Sequence, residues 1–203
     1  MLAVPPVSLI HRLVAGLVVT GLCATVAAAH GVVQGFADST VVGGFTVPVA
    51  FASLPDGRVL VAEKSGVVRM VRDGRLLPDA FLDLRTRVND YWDRGLLGIT
   101  VDPAFAENGF VYLFYVFEDD PFSYTGPKVS RVVRVTAHDD HADPDSEVVL
   151  VGGIPADSPS HNGGALRFGP DGALWITTGD ASSFNAVDAR TLRAQDVDSL
   201  AGK

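Results

Sequence analysis

Three stretches of this chain share one grammar, which constrains the fold more than any other feature. Residues 49–71 read VAFASLPDGRVLVAEKSGVVRMV, residues 97–116 read LGITVDPAFAENGFVYLFYV, and residues 165–178 read ALRFGPDGALWITT. Each joins a short apolar strand, through a turn, to a second strand rich in Val, Leu, aromatic or Thr residues. The turns carry Asp56-Gly57, Asn108-Gly109 and Asp171-Gly172. Asx-Gly pairs supply the positive φ that tight hairpins need. The flanking residues alternate or run apolar, as half-buried or buried strands do. The turn glycines lie 52 and then 63 residues apart (Gly57 to Gly109, Gly109 to Gly172). A loose period of this size, with two to four strands per unit, predicts β-propeller blades. One blade gains a further hairpin, 59–63 with 66–72, turned by Lys64-Ser65-Gly66. Another continues from 111–117 into 130–136 and 147–151. No stretch shows convincing helical periodicity. Residues 76–87 and 189–200 read as loops with room for a turn or two of helix.

A propeller needs at least four blades to close. At the observed spacing this chain makes about three. An open stack of three leaves two exposed sheet edges, an aggregation liability. The class is therefore all-β, with residues 43–203 forming the N-terminal part of a longer propeller. A complete small β-sandwich is the alternative.

The first residues follow other rules. Residues 1–29 read as a signal peptide: His11 and Arg12 precede an uncharged run that ends Ala27-Ala28-Ala29. A retained anchor is the alternative, but the run, about 17 residues, is at the lower limit of a membrane span, and no basic stop follows it. Cys23 lies in this leader, behind Thr20-Gly21-Leu22, which lacks the small residue expected next to a lipid-modified Cys. Cleavage leaves a chain with no cysteine, which must fold by core burial alone in an oxidising compartment. Residues 30–42 form a linker or a first outer strand. The whole chain carries a net charge of −8, and removing the leader's one Arg makes it −9. That argues against nucleic acid or an anionic membrane surface as partner and suits a secreted or periplasmic protein.

Few residues propose a chemistry. Residues 160–180, SHNGGALRFGPDGALWITTGD, place His161 in a Gly-Gly turn at the mouth of a strand. A neutral imidazole there suits a general base; a solvated turn histidine is the alternative. Ser160 flanks His161, and Asp180 opens the next loop, with Ser182-Ser183-Phe184-Asn185 after it; these are ligand contacts or plain turn residues. Residues 89–98, NDYWDRGLLG, bring Asp93 and Arg94 just before a buried strand. Loops entering inner strands converge near a propeller's channel, so both could face the ligand of His161. Arg suits a carboxylate or quinone oxygen because its planar fork donates two hydrogen bonds. A structural Asp–Arg pair is the alternative. Residues 138–147, HDDHADPDSE, are dense in acids and histidines but lack calcium-loop spacing. They read as a solvated charged loop. No phosphate-cradling glycine motif, zinc spacing or serine elbow is present.

In order, RGLLGITVDPAFAENGFVYLFYV, SHNGGALRFGPDGALWITTGD and LRAQDVDSLAGK resemble the glucose/sorbosone dehydrogenase family. These are soluble, PQQ-dependent aldose dehydrogenases on a six-bladed β-propeller. The resemblance covers residues 47–203. It implies that this chain supplies roughly the first three of six blades. It implies that His161 takes the proton of a sugar's C1 hydroxyl while hydride passes to the quinone of PQQ, that calcium polarises the quinone, and that an external electron acceptor reoxidises it. It places Asp93 and Arg94 at cofactor contacts that are usually Gln and Asn, and Ser160 where an acid helps hold the sugar. Ser160 and Asp180 are thus substrate-binding candidates. No metal ligand is assigned in this chain, since the family's calcium ligands lie in later blades, and residues 1–203 alone are expected to be inactive. Some relatives are animal surface proteins that use the propeller for binding, so a secreted, non-catalytic propeller for glycans or a protein partner is the second reading.

Overall fold

A computed structural model describes residues 33–203, so the predicted signal peptide and Cys23 lie outside the described residues. No strand forms among residues 33–47, and a compact unit spans Thr40–Lys203.

The first sheet is an antiparallel meander of four strands, β1 (Pro48–Ser53), β2 (Val59–Glu63), β3 (Val67–Arg72) and β4 (Arg75–Asp83). The β1–β2 turn has Pro55 at its first central position, and Gly57 at φ 88° donates to the Leu54 carbonyl at 3.1 Å. Pro presets the first turn residue, and a left-handed Gly completes the bulged three-residue hairpin. Asp56 adds its own carboxylate, which accepts from the Arg58 amide at 3.1 Å. Residues 76–87 correct the sequence expectation: most of this stretch is strand β4, with only a single turn over 84–88. The reason is Asp73-Gly74. Both residues sit at positive φ, 52° and 71°, which folds the chain back as a two-residue hairpin.

The second sheet contains β5 (Leu96–Val101), β6 (Phe110–Phe117), β7 (Lys128–His138), the two-residue β8 (His141–Ala142) and β9 (Val148–Ala156), which pairs with β7. Asn108-Gly109 is not the hairpin turn expected. It ends a short helix, α1 (Phe105–Asn108), with Gly109 as its left-handed cap at φ 65° donating to the Phe105 carbonyl at 2.8 Å. The third sheet is a two-stranded hairpin, β10 (Leu166–Phe168) and β11 (Leu174–Ile176). Its turn repeats the first: Gly172 at φ 79° donates to Gly169 at 3.0 Å, and Asp171 accepts from the Ala173 amide at 3.1 Å.

Strand β6 explains how the sheets stack. Val111, Leu113, Phe114, Tyr115 and Val116 are all fully buried. Successive side chains of a strand point to opposite faces. Val111, Leu113 and Tyr115 join Leu60, Met70, Phe81 and Leu82 of the first sheet in one core. Phe114 points the other way and joins Val132, Ile154 and Leu166 in a second, smaller core. The middle sheet is thus covered on both faces, as blades in a propeller are. The innermost strands of the three sheets, β1, β5 and β10, line one cavity of about 560 Å³.

Candidate active site

The site is built where the third sheet meets the second. Its entry segment approaches β5 so closely that a Cβ on Gly98 would collide with the Gly164 carbonyl, and one on Gly164 with Phe114 and Leu97. A Cβ on Gly179 would likewise occupy the place of the His161 carbonyl. Glycine at these positions lets backbone touch backbone. It also holds His161 in a left-handed conformation, φ 57°, which is uncommon outside glycine and concentrates at functional sites. The loop is closed by hydrogen bonds from Ala181 N–H to the His161 carbonyl and from Gly179 N–H to the Asn162 carbonyl, both 3.1 Å.

The imidazole is then fixed from one side. Its Nδ1 lies 3.0 Å from Ser182 Oγ and 3.4 Å from Asp180 Oδ1. Asp180 Oδ1 also accepts the Ser182 amide at 3.0 Å. Burial works to raise the Asp180 carboxyl, but hydrogen bonds from the Ser182 amide and hydroxyl, with the charge of His161, outweigh it and hold the group below its ordinary value. An ionised carboxylate at Nδ1 favours a proton on that nitrogen and leaves Nε2 as the basic atom. Nε2 has no hydrogen-bond partner among the described residues, and the ring is 44% exposed. The arrangement is that of an oriented base.

The predicted residues separate into two groups. His161, Asp180 and Asp93 come together: Asp93 Oδ2 accepts the His161 backbone N–H at 3.3 Å, and the Asp93 amide donates to the Pro159 carbonyl at 3.0 Å. Arg94 and Ser160 lie underneath. Ser160 is buried. Arg94 is fully buried rather than facing a ligand, with Nη2 donating to the Ala156 carbonyl at 2.9 Å and Nη1 to Asn89 Oδ1 at 3.3 Å. The strand-mouth position that suggested a ligand contact turns its long side chain inward. Desolvation depresses its pKa, countered by the charges of Glu118 and Asp157. Asn89 in turn donates to Glu118 at 2.6 Å and to the Tyr124 carbonyl at 2.8 Å. Arg94 therefore anchors the loop that presents Asp93.

Sequence reasoning missed a second brace. A short 3-10 helix, Ala189–Gln195, is capped by Asp188, whose carboxylate accepts the Arg190 amide at 2.9 Å and the Ser183 amide at 2.8 Å. Arg190 holds that carboxyl down to about 2. From the same helix Arg193 donates to Asp157 at 3.0 Å and to the carbonyls of Asp180 and Ala181 at 3.3 and 3.4 Å. The Asp-x-Arg pattern at 188–190 was a legible cap signal. The reach of Arg193 had none. The acids of 138–147 do not gather around a point. Asp140 pairs with Arg58 and Arg72, and Asp145 with Arg87. No cluster of three metal-ligating side chains occurs among the described residues.

Antiparallel sheets stacked face to face, with their inner strands on a shared cavity, are the arrangement of consecutive β-propeller blades, and an oriented histidine stands at the mouth of the third sheet. The sequence model of the Glucose / Sorbosone dehydrogenase family matches residues 45–203, and the chain belongs to that family. A Thermus thermophilus oxidoreductase described as a glucose dehydrogenase is 36% identical with a TM-score of 0.67; the match covers 81% of this chain and 44% of that one. The PQQ-bound form of a Streptomyces coelicolor aldose sugar dehydrogenase is 26% identical with a TM-score of 0.65, over 81% of this chain and 45% of that one. Hedgehog-interacting protein of Mus musculus is 30% identical over 153 residues, 69% of this chain and 21% of its own length. The chain spans less than half the length of each.

Proposed function

We propose that this chain carries the base of an exported sugar dehydrogenase. The observation that supports it most is His161 in a left-handed turn with Nδ1 held by Asp180 and Ser182. In this reading Nε2 takes the proton of the C1 hydroxyl of an aldose. The C1 hydride leaves to a two-electron acceptor, the C1–O bond becomes a carbonyl, and the product is a lactone. Asp180 and Ser182 stabilise the imidazolium that forms, and Asp93 fixes the backbone beneath it. Export rests on the leader at 1–29.

The similar Streptomyces protein is PQQ-bound, and PQQ with calcium is the cofactor set the family suggests. The residues present do not fit a tricarboxylate quinone by themselves. The groups at His161 are the carboxylates of Asp93 and Asp180, Arg94 is buried, and Arg190 and Arg193 are paired with Asp157 and Asp188. We assign no residue here to PQQ or calcium, and Asp93 and Arg94 become positioning residues.

The test is His161→Gln in the full-length natural protein. Dye-linked aldose oxidation with PQQ and calcium supplied is expected to fall by roughly 10²–10⁴ with the melting curve unchanged. Retained turnover would remove the base assignment. The likeness to Hedgehog-interacting protein supports a second reading, a non-catalytic binding propeller. Absence of both an absorbance change on titrating PQQ with calcium and any sugar oxidation would favour it.

A further inference from the structure

Beside His161 lies a cleft that the base chemistry does not use. Tyr91, Trp92, Ser160, Ser183, Phe184 and Asn185 are among its walls, and its volume is about 300 Å³, at the small end of ligand pockets. Two of its three large rings are exposed, Trp92 by 57% and Phe184 by 70%. They stand 6.4 Å apart, edge to face at 65°. Trp92 is in the left-handed region, φ 55°, a strained conformation for a bulky residue that turns its indole outward. Tyr91 backs it at 6.3 Å and is itself backed by Tyr124 at 5.8 Å. Tyr124 is held by its hydroxyl on Asp90. On the other wall, Ser183 is tied to Asp188 through its amide at 2.8 Å, which fixes the root of Phe184.

We propose that Trp92 and Phe184 form a site for a second sugar ring, next to the one presented to His161. The chemistry matches: a pyranose has apolar C–H faces that lie on aromatic rings and a rim of hydroxyls for groups such as Ser183, Asn185 and Arg190. The placement matches too. Trp92 directly precedes Asp93, whose carboxylate holds the His161 N–H, and Phe184 follows two residues after Ser182, which holds Nδ1. A ring in the cleft therefore abuts a ring at the base, and the favoured substrates are glycans of two or more units. This rests on the sugar-oxidising reading above.

The chain has two tryptophans, Trp92 and Trp175. In residues 1–203 carrying Trp175→Phe, Trp92 is the single tryptophan, and its fluorescence reports the cleft directly, with no turnover required. Maltotriose is expected to shift it saturably and to bind roughly tenfold tighter than glucose, a difference one aromatic wall can supply. Phe184→Ala, and Phe184→Leu as the milder variant, should erase that preference while leaving glucose unchanged. Equal affinity for the two sugars, no response to either, or a preference that survives both Phe184 variants would each overturn the proposal. So would a small aromatic quinone displacing the trisaccharide while glucose affinity stays unaltered. Trisaccharide preference without any sugar oxidation would leave the cleft standing and remove the dehydrogenase reading. Oxidation lost in His161→Gln, without trisaccharide preference, would do the reverse.

Discussion

The two junctions between sheets are built differently. Between the first and second, a continuous core runs from Leu60 and Met70 to Leu113 and Val133. At its rim Asp140 joins Arg58 at 3.2 Å and Arg72 at 2.5 Å, and Asp145 joins Arg87 at 2.9 Å. Between the second and third, the described residues form a smaller buried cluster of Phe114, Val132, Ile154 and Leu166, with Leu97, Tyr112, Val151, Leu174 and Ile176 partly buried around it, and glycine backbones replace side chains at the contact of Gly98 with Gly164. The first junction is a stability device. The second gives up side-chain burial for close backbone approach, and that approach sets the strained turn of His161. Strain of this kind persists only where surrounding structure over-determines it, here through Asp93, Asp180, Ala181 and Gly179.

The contrast can be broken most decisively on β6. Leu113→Ala, facing the first junction, should cost about 2–5 kcal/mol, and Phe114→Ala, facing the second, about 3–5 kcal/mol. Denaturant midpoints measure both. Hydrogen exchange separates them: Phe114→Ala should release the amides of 166–168 before those of β2 and β3, and Leu113→Ala should not. Uniform release in both variants would mean one junction rather than two. A smaller effect is expected for Gly164→Ala. At φ 138° with Phe114 and Leu97 in the way, the added methyl should cost about 1–3 kcal/mol and displace His161. Sugar oxidation should then fall in molecules that remain folded at assay temperature. Smallest of all, Asp140→Asn should cost about 0–1 kcal/mol, since the pair is partly exposed, with the difference shrinking in high salt.

Acid should act on the second junction. The carboxyls of Asp180 and Asp188 are held below the ordinary 3.8, Asp188 at about 2. A folded-state value below the unfolded one gives a contribution that is complete above the unfolded pKa and lost as pH falls through the folded one. The Asp188 contribution should be complete above 3.8 and decline between 3.8 and about 2, and the Asp180 contribution should be lost as pH falls below 3.8. Exchange at 181–183 should rise in that window ahead of exchange in β6.

How far the fold was legible depended on whether the signal was local. The Pro-Asp-Gly turns at 55–57 and 170–172 folded as read because their geometry is settled within five residues. Residues 76–87 were misread because the decisive pair, Asp73-Gly74, lies just upstream of the segment itself. Asn108-Gly109 carried the right backbone angle but served a helix end. At the site, His161 announced itself through its Gly-Gly neighbours. Asp180 was found as a loop acid, although its bond to Nδ1 depends on a fold-back of 19 residues. Arg94 could not be placed from sequence, because an Arg beside an acid reads the same whether it faces a ligand or the carbonyl of Ala156.

The two-faced burial of β6 also sets an order of assembly. Every member of the first core has been synthesised once Ala142 is made, but the second core waits for Leu166. At about 5–20 residues per second, the nascent chain passes roughly one to five seconds with Phe114 and Val132 facing water. Those two residues mark the surface a chaperone would have to shield, and the third hairpin is the segment whose arrival ends the need.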